Sequence, residues 1–181
     1  MKENKLVSLD IETSGTDPER HQILSIGLVR LDDLSERYYE VKWGEVVAVP
    51  EAFRVNRFDA TQLDQQGVSV KHIKGDIAKW FGEQRFTPFG MNVAAFDMRF
   101  VYNTLGEGFC KKYFGRRSMD LNALLFAVCY KHDIDFHTLK EESYKKADEI
   151  VTERKPHLKP HHALYDAWRN IEVFKLLVQK V

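Results

Sequence analysis

Leu6, Val7, Leu9 and Ile11 form an apolar, β-prone run that stops at Ser14-Gly15-Thr16-Asp17-Pro18, the pattern of a buried strand ended by a turn. Gln22 to Leu31 and Glu36 to Trp43 predict two further strands, with Asp32 to Ser35 between them, so the chain opens as a β-meander. Residues 44 to 68 read as irregular apart from a short helix over Thr61 to Gln66 ended by Gly67. Val70, Ile73, Ile77, Trp80 and Phe81 recur at helical spacing within Ser69 to Phe81. Phe86 to Gly90 is a short strand, and Val93 to Leu105, Met119 to Tyr130 and Ala163 to Val178 are helical by pattern. The highly charged stretch from 132 to 160 reads as an exposed segment with weak helix in its middle. Strands first, then helices alternating with the remaining strand, predict one α/β domain over residues 1–181, helices covering a mixed sheet.

Composition narrows the function classes. The chain has 181 residues, 44% hydrophobic and 30% charged, as in a folded domain with a sizeable core. Met1 to Lys5 lead straight toward the first strand without an apolar signal region, and no run approaches the eighteen or so apolar residues of a membrane span, so a cytoplasmic protein with no membrane partner is expected. Cys110 and Cys129 stand apart, without metal-site or disulfide spacing, and are expected to fill core. Twenty-seven basic and twenty-seven acidic residues cancel, which argues against a long polynucleotide track but not against a short or single-stranded end.

The candidate chemistry lies in acids. Asp10 and Glu12 are two apart on the first strand, so their side chains share a face. Paired anions at a buried strand end call for compensation, for which a hard divalent cation suits clustered oxygens; a solvated strand end with one acid capping the turn is the other reading. Asp97 lies beside Phe96, Phe100 and Val101 on a helix whose start Asn92 can cap, and a lone acid there is commonly a surface residue. Asp166 stands in a final helix that is apolar on nearly every side, so it needs a partner.

Taken together, Asp10-x-Glu12 on a first strand, Asn92 to Asp97 at a helix start and His161-x-Ala163-Leu164-x-Asp166-Ala167 on the last helix resemble the DnaQ-like 3′-to-5′ exonucleases, the DEDDh group. The resemblance spans nearly the whole chain. It implies a ribonuclease H-like mixed sheet covered by helices, two Mg²⁺ or Mn²⁺ ions, and removal of nucleotides from single-stranded 3′ ends of DNA or RNA. By resemblance Asp10 bridges both ions, Glu12 and Asp166 complete one site, and Asp97 supports the other, partly through water. Four carboxylates around one phosphate also suit two-metal phosphodiester chemistry in their own right. His161 is the candidate general base: in one regular helix it would point about 140° from Asp166, so it is expected in the Lys159-Pro160 approach, with His162 as its helix-face neighbour. Thr13 is placed to contact the terminal nucleotide. The sequence differs from the family pattern at Met91, where histidine is usual, in the five-residue step from Asn92 to Asp97, shared with the oligoribonuclease branch, and at Thr16, where leucine is common.

Lys111, Lys112, Arg116 and Arg117, interleaved with Tyr113 and Phe114 and with no acid between 110 and 117, offer bases to phosphate and rings to nucleobases; a solvated loop after a helix is the plain alternative. Neutral overall charge predicts a binding site of a few nucleotides. An oligoribonuclease or ribonuclease T-like activity on short RNA, a catalytically silent nucleic-acid-binding module and a strand-end Asp-x-Asp phosphatase are the competing classes; Glu12 disfavours the last, and a homodimer is left open.

Overall fold

The structure is a computed structural model that describes residues 5–56, 58 and 60–181; the expectation drawn from Met1 to Asn4 lies outside the described residues. β1 (Leu6–Thr13), β2 (Ile23–Arg30) and β3 (Glu36–Glu40) form the antiparallel meander, and β4 (Thr87–Gly90) and β5 (Met119–Asp120) join on the other side of β1, each parallel to its neighbour, in the order β3-β2-β1-β4-β5. Helices α1 (Pro50–Asn56), α2 (Ala60–Gln66), α3 (Val70–Phe81), α4 (Asp97–Leu105), α5 (Glu107–Tyr113), α6 (Leu121–His132), α7 (Phe136–Arg154) and α8 (Ala163–Val178) complete the chain.

Strand alternation divides the residues of β1 between two cores. Val7, Leu9 and Ile11 pack with Ile73, Ile77 and Phe81 of α3 and with Phe100 and Val101 of α4. Ser8, Asp10 and Glu12 face the other way and stand opposite Val29, Gly27 and Ser25 of β2. There α8 lies almost directly on the sheet. A Cβ at Gly27 would come within 2.2 Å of the Ala163 carbonyl oxygen, and one at Gly90 within 2.8 Å of the Leu9 oxygen and 3.2 Å of Asn170 Nδ2. The Ser8 hydroxyl donates to the Ala167 carbonyl at 2.8 Å. Small residues under the first turns of α8 therefore bring Asp166 to the level of Asp10. Beyond that contact Leu164, Trp168, Ile171 and Leu177 pack with Phe89, Leu121, Leu125, Leu139 and Val151.

Six expectations are corrected, the first being the irregular reading of residues 44–68, which hold α1 as well as α2. The 132–160 segment is chiefly α7, a nineteen-residue helix capped by Asp135, whose carboxylate accepts from Thr138 N at 2.9 Å, and it packs against α8. Its buried residues are Leu139, Ser143, Ala147 and Val151, an i, i+4 stripe too small and polar to show as hydrophobic. The helix foreseen from Val93 begins only at Asp97, because Asn92 takes a left-handed backbone (φ 56°) and residues 91–96 form turns. Asn92 caps nothing there; its Oδ1 accepts from Asn122 Nδ2 at 2.7 Å. The supposed loop at Lys111 and Lys112 is the end of α5, and the helix foreseen from Met119 starts at Leu121 after a two-residue strand. Both cysteines are buried, and burial pushes the Cys110 thiol up to about 12, as suits core filling. Among the described residues no helix is long and apolar enough to cross a membrane.

Candidate active site

Carboxylate oxygens of Asp10, Glu12 and Asp166 lie within 4.8 Å of one another. Two come from one face of β1 and the third from the first turn of α8, brought there by the close helix-on-sheet contact. Asp97 opens α4, where the helix N-terminus favours an anion, and its Oδ1 accepts from the Ile11 backbone amide at 3.2 Å. It lies outside the tight trio yet near enough to act on it electrostatically, raising the pKa of both Asp10 and Glu12.

This acidic cluster resists full ionisation. Burial first, and then the neighbouring carboxylates, hold Asp10 well above the usual carboxyl range and move Glu12 from 4.5 to about 8. Burial moves Asp97 to about 7 against the hydrogen bonds that favour its charge, and also raises Asp166. One cation partly offsets the repulsion. Arg169, one turn after Asp166, forms an ion pair with Asp166 Oδ1, lies 3.8 Å from Asp148 and stacks its guanidinium 4.9 Å from the Tyr144 ring centre. Apart from that ion pair, Asp166 Oδ1 and Arg169 Nε are buried without hydrogen-bond partners among the described residues. Converging hard oxygens whose joint ionisation is disfavoured without a counter-charge fit a divalent cation, which would hold them as carboxylates. Arg169 was missed from sequence; its spacing of three from Asp166 is the signal that pointed to it.

The two histidines differ. His161 is exposed, takes a left-handed backbone (φ 62°) in the approach to α8, and donates its backbone N–H to Asp166 Oδ2 at 3.2 Å. A left-handed non-glycine residue costs of order 1–3 kcal/mol, and here it is held by that bond to the Asp166 carboxylate. His162 caps α8: its Nδ1 accepts from Leu164 N at 3.3 Å and its ring stacks on Tyr38, centroids 4.2 Å apart.

Beside Glu12 an open pocket of about 380 Å³ is lined by Ile11, Thr13, Thr16, Val49, Ala52 and Phe96. The Thr13 hydroxyl donates to the Gly15 carbonyl at 2.7 Å, shaping this wall. Phe96 and Val49 carried no sequence signal because the one was read as helix core and the other as irregular chain. The basic cluster is elsewhere. Lys111, Arg116 and Arg117 border the end of the sheet where β4 begins, Lys111 is ion-paired with Glu107, and Tyr113 and Phe114 are buried in the core, unavailable to stack on bases.

A five-stranded mixed sheet with a leading meander, helices on both faces and acids at the emergence of β1 is the ribonuclease H-like α/β fold. Among solved structures the chain is similar to E. coli exonuclease I in complex with a dT13 oligonucleotide (TM-score 0.71, 18% identity, 98% of this chain and 42% of that one). It is also similar to the zinc-bound form of the E. coli exonuclease I complex with single-stranded DNA (0.70, 16%, 98% and 41%) and to a moderately thermophilic exonuclease I from Methylocaldum szegediense (0.70, 20%, 97% and 40%). The chain thus spans about two-fifths of the length of these proteins. No family model and no curated protein matches the sequence.

Proposed function

We propose that residues 1–181 form a 3′-to-5′ exonuclease domain that removes nucleotides from single-stranded 3′ ends by metal-dependent phosphodiester hydrolysis. The observation that carries this reading is the convergence of Asp10, Glu12 and Asp166 within 4.8 Å on a fold shared with exonuclease I. DNA is the favoured substrate because two of these similar structures are complexes with single-stranded DNA.

Asp10, Glu12 and Asp166, with Asp97 in support, would hold two divalent cations. Bound there, the ions would supply Lewis-acid activation of water and stabilisation of the departing 3′ oxygen. The protein's own groups do the rest. Thr13, Phe96 and Val49 receive the terminal nucleoside in the pocket beside Glu12, Arg169 orients Asp166, and an imidazole nitrogen of His161 accepts a proton from the attacking water. Water oxygen bonds to phosphorus as the bond from phosphorus to the 3′ oxygen breaks, giving a nucleoside 5′-monophosphate and a strand one residue shorter.

Digestion of matched end-labelled DNA and RNA oligomers with Mg²⁺ or Mn²⁺ tests the reading. Stepwise mononucleotide release from the 3′ end is expected, lost in EDTA and nearly abolished in Asp10→Asn. Release of inorganic phosphate only, no release at all, or an Asp10→Asn protein with the wild-type rate would overturn it.

A further inference from the structure

The sheet has a second charged end. Arg85, Thr87, Lys111, Phe114, Arg116 and Arg117 line an open pocket of about 560 Å³. It lies where β1 and β4 begin, because Thr87 pairs with Leu6 and Arg116 and Arg117 stand just ahead of β5, separated from it by Ser118. Asp10 is four residues farther along β1 and Glu12 six, which at 3.3 Å per residue puts the acids about 13 and 20 Å away along the strand. The pocket is therefore separate from the acidic centre.

Its walls are built rather than incidental. Gly115 turns the chain out of α5 with φ 77°, and a Cβ there would meet Arg85 Cδ at 3.0 Å. Arg85 Nε donates to the Lys112 carbonyl at 3.2 Å, and the Tyr102 hydroxyl donates to the Gly115 carbonyl at 3.3 Å. Among the described residues no carboxylate lies within 4.0 Å of the charged ends of Arg85, Arg116 or Arg117, while Lys111 is matched by Glu107. Glu107 also acts on Arg116 electrostatically, but three guanidinium groups around one concavity, none in a direct ion pair among the described residues, favour phosphate, which they can grip in paired hydrogen bonds. A larger groove of about 810 Å³ along α7 is lined by Glu141, Asp148, Glu149 and Glu153 and would repel such a ligand. With Tyr113 and Phe114 buried, the basic pocket offers charge and no exposed ring, so it suits backbone phosphate without regard to base.

Building on the function proposed above, we propose that this pocket binds backbone phosphates of a single strand at a distance from its 3′ end. Short oligomers then touch only the acidic end, and strands long enough to bridge both, in the range of about 4–16 nucleotides seen for single-strand sites, gain affinity. The chain's overall neutrality conceals this, since the opposite charges are segregated to opposite ends of one sheet.

The test is binding of 5′-labelled dT20 by fluorescence anisotropy in EDTA, where no hydrolysis occurs, comparing wild type with an Arg85→Ala, Arg116→Ala, Arg117→Ala variant of unchanged melting temperature. The variant should bind at least about tenfold more weakly, with a salt slope shallower by about 2, from roughly 0.7 per lost phosphate contact. Milder Arg116→Lys, Arg117→Lys changes should lose less than the alanines. Equal binding of dT20 by wild type and variant would overturn the proposal, as would displacement of dT20 by equimolar inorganic phosphate or by polyglutamate. Because the assay needs no turnover, arginine-dependent binding without nucleotide release would sink the catalytic reading and leave the pocket, and release with arginine-independent binding would do the reverse.

Discussion

β1 presents opposite chemistry on its two faces. Val7, Leu9 and Ile11 are almost wholly buried among α3 and α4, whereas on the other face Ser8 donates to the α8 backbone and Asp10 and Glu12 converge with the Asp166 carboxylate. The apolar face gains stability from every neighbour it touches, about 1.5–3 kcal/mol for each large side chain fully buried. The acidic face loses stability by the same closeness, since burial and mutual repulsion push its carboxyls up. One strand thus anchors the fold and strains the site, and the anchor is what allows the strain to persist.

The largest effect expected from separating the faces is catalytic. His161→Ala should lower the rate by about 10² to 10⁴-fold, the usual contribution of a general base, with metal affinity retained. His162→Ala, which removes a helix cap and a ring stack, should instead cost about 1 kcal/mol of stability and little rate. Equal large rate losses in both variants would overturn the assignment.

Stability separates the faces next. Leu9→Ala should cost about 2–5 kcal/mol in denaturant unfolding, as for other buried leucines. Asp10→Asn, its immediate neighbour on the opposite face, should raise the melting temperature of the metal-free protein by relieving like-charge repulsion. A destabilised Asp10→Asn protein would mean that the acid contributes to folding.

The last contrast is in pH. In EDTA, the folded chain keeps protons on Glu12 up to about pH 8 and on Asp97 up to about pH 7, whereas the unfolded chain releases them near the ordinary 4.5 and 3.8. Their stabilising contribution is fully present below those ordinary values and is lost as pH rises through 7 and 8. The melting temperature should therefore fall between pH 5 and 8, and saturating Mg²⁺ should flatten the slope. A metal-free melting temperature that does not fall over this range would break the contrast between the faces.

Much of this was legible in the chain. The meander, the same-face placement of Asp10 and Glu12 and the need of Asp166 for a partner follow from local periodicity, and the approach segment places His161 off the helix. What escaped was what periodicity cannot carry. α7 hides because Ser143 and Ala147 occupy half of its buried stripe. The start of α4 hides because Asn92 adopts a left-handed backbone, which residue type permits without requiring. Arg169 reads as one more surface cation until α7 supplies Tyr144 and Asp148 around it. The basic cluster reads as a site for phosphates and bases until the fold buries Tyr113 and Phe114 and the parallel pairing of β4 and β5 puts it at the end of the sheet away from the acids.

The contact between α8 and the sheet sets a manufacturing tolerance for the site. Gly27 and Gly90 let backbone meet backbone and side chain without an intervening Cβ, so the distance from Asp166 to Asp10 is gauged by rigid peptide groups. Core side chains elsewhere can drift in size, shifting elements by a few tenths of an ångström, and the gauge will not move with them. Mutational wear of the hydrophobic interior should erode the lifetime of the folded chain long before it changes the spacing of its carboxylates.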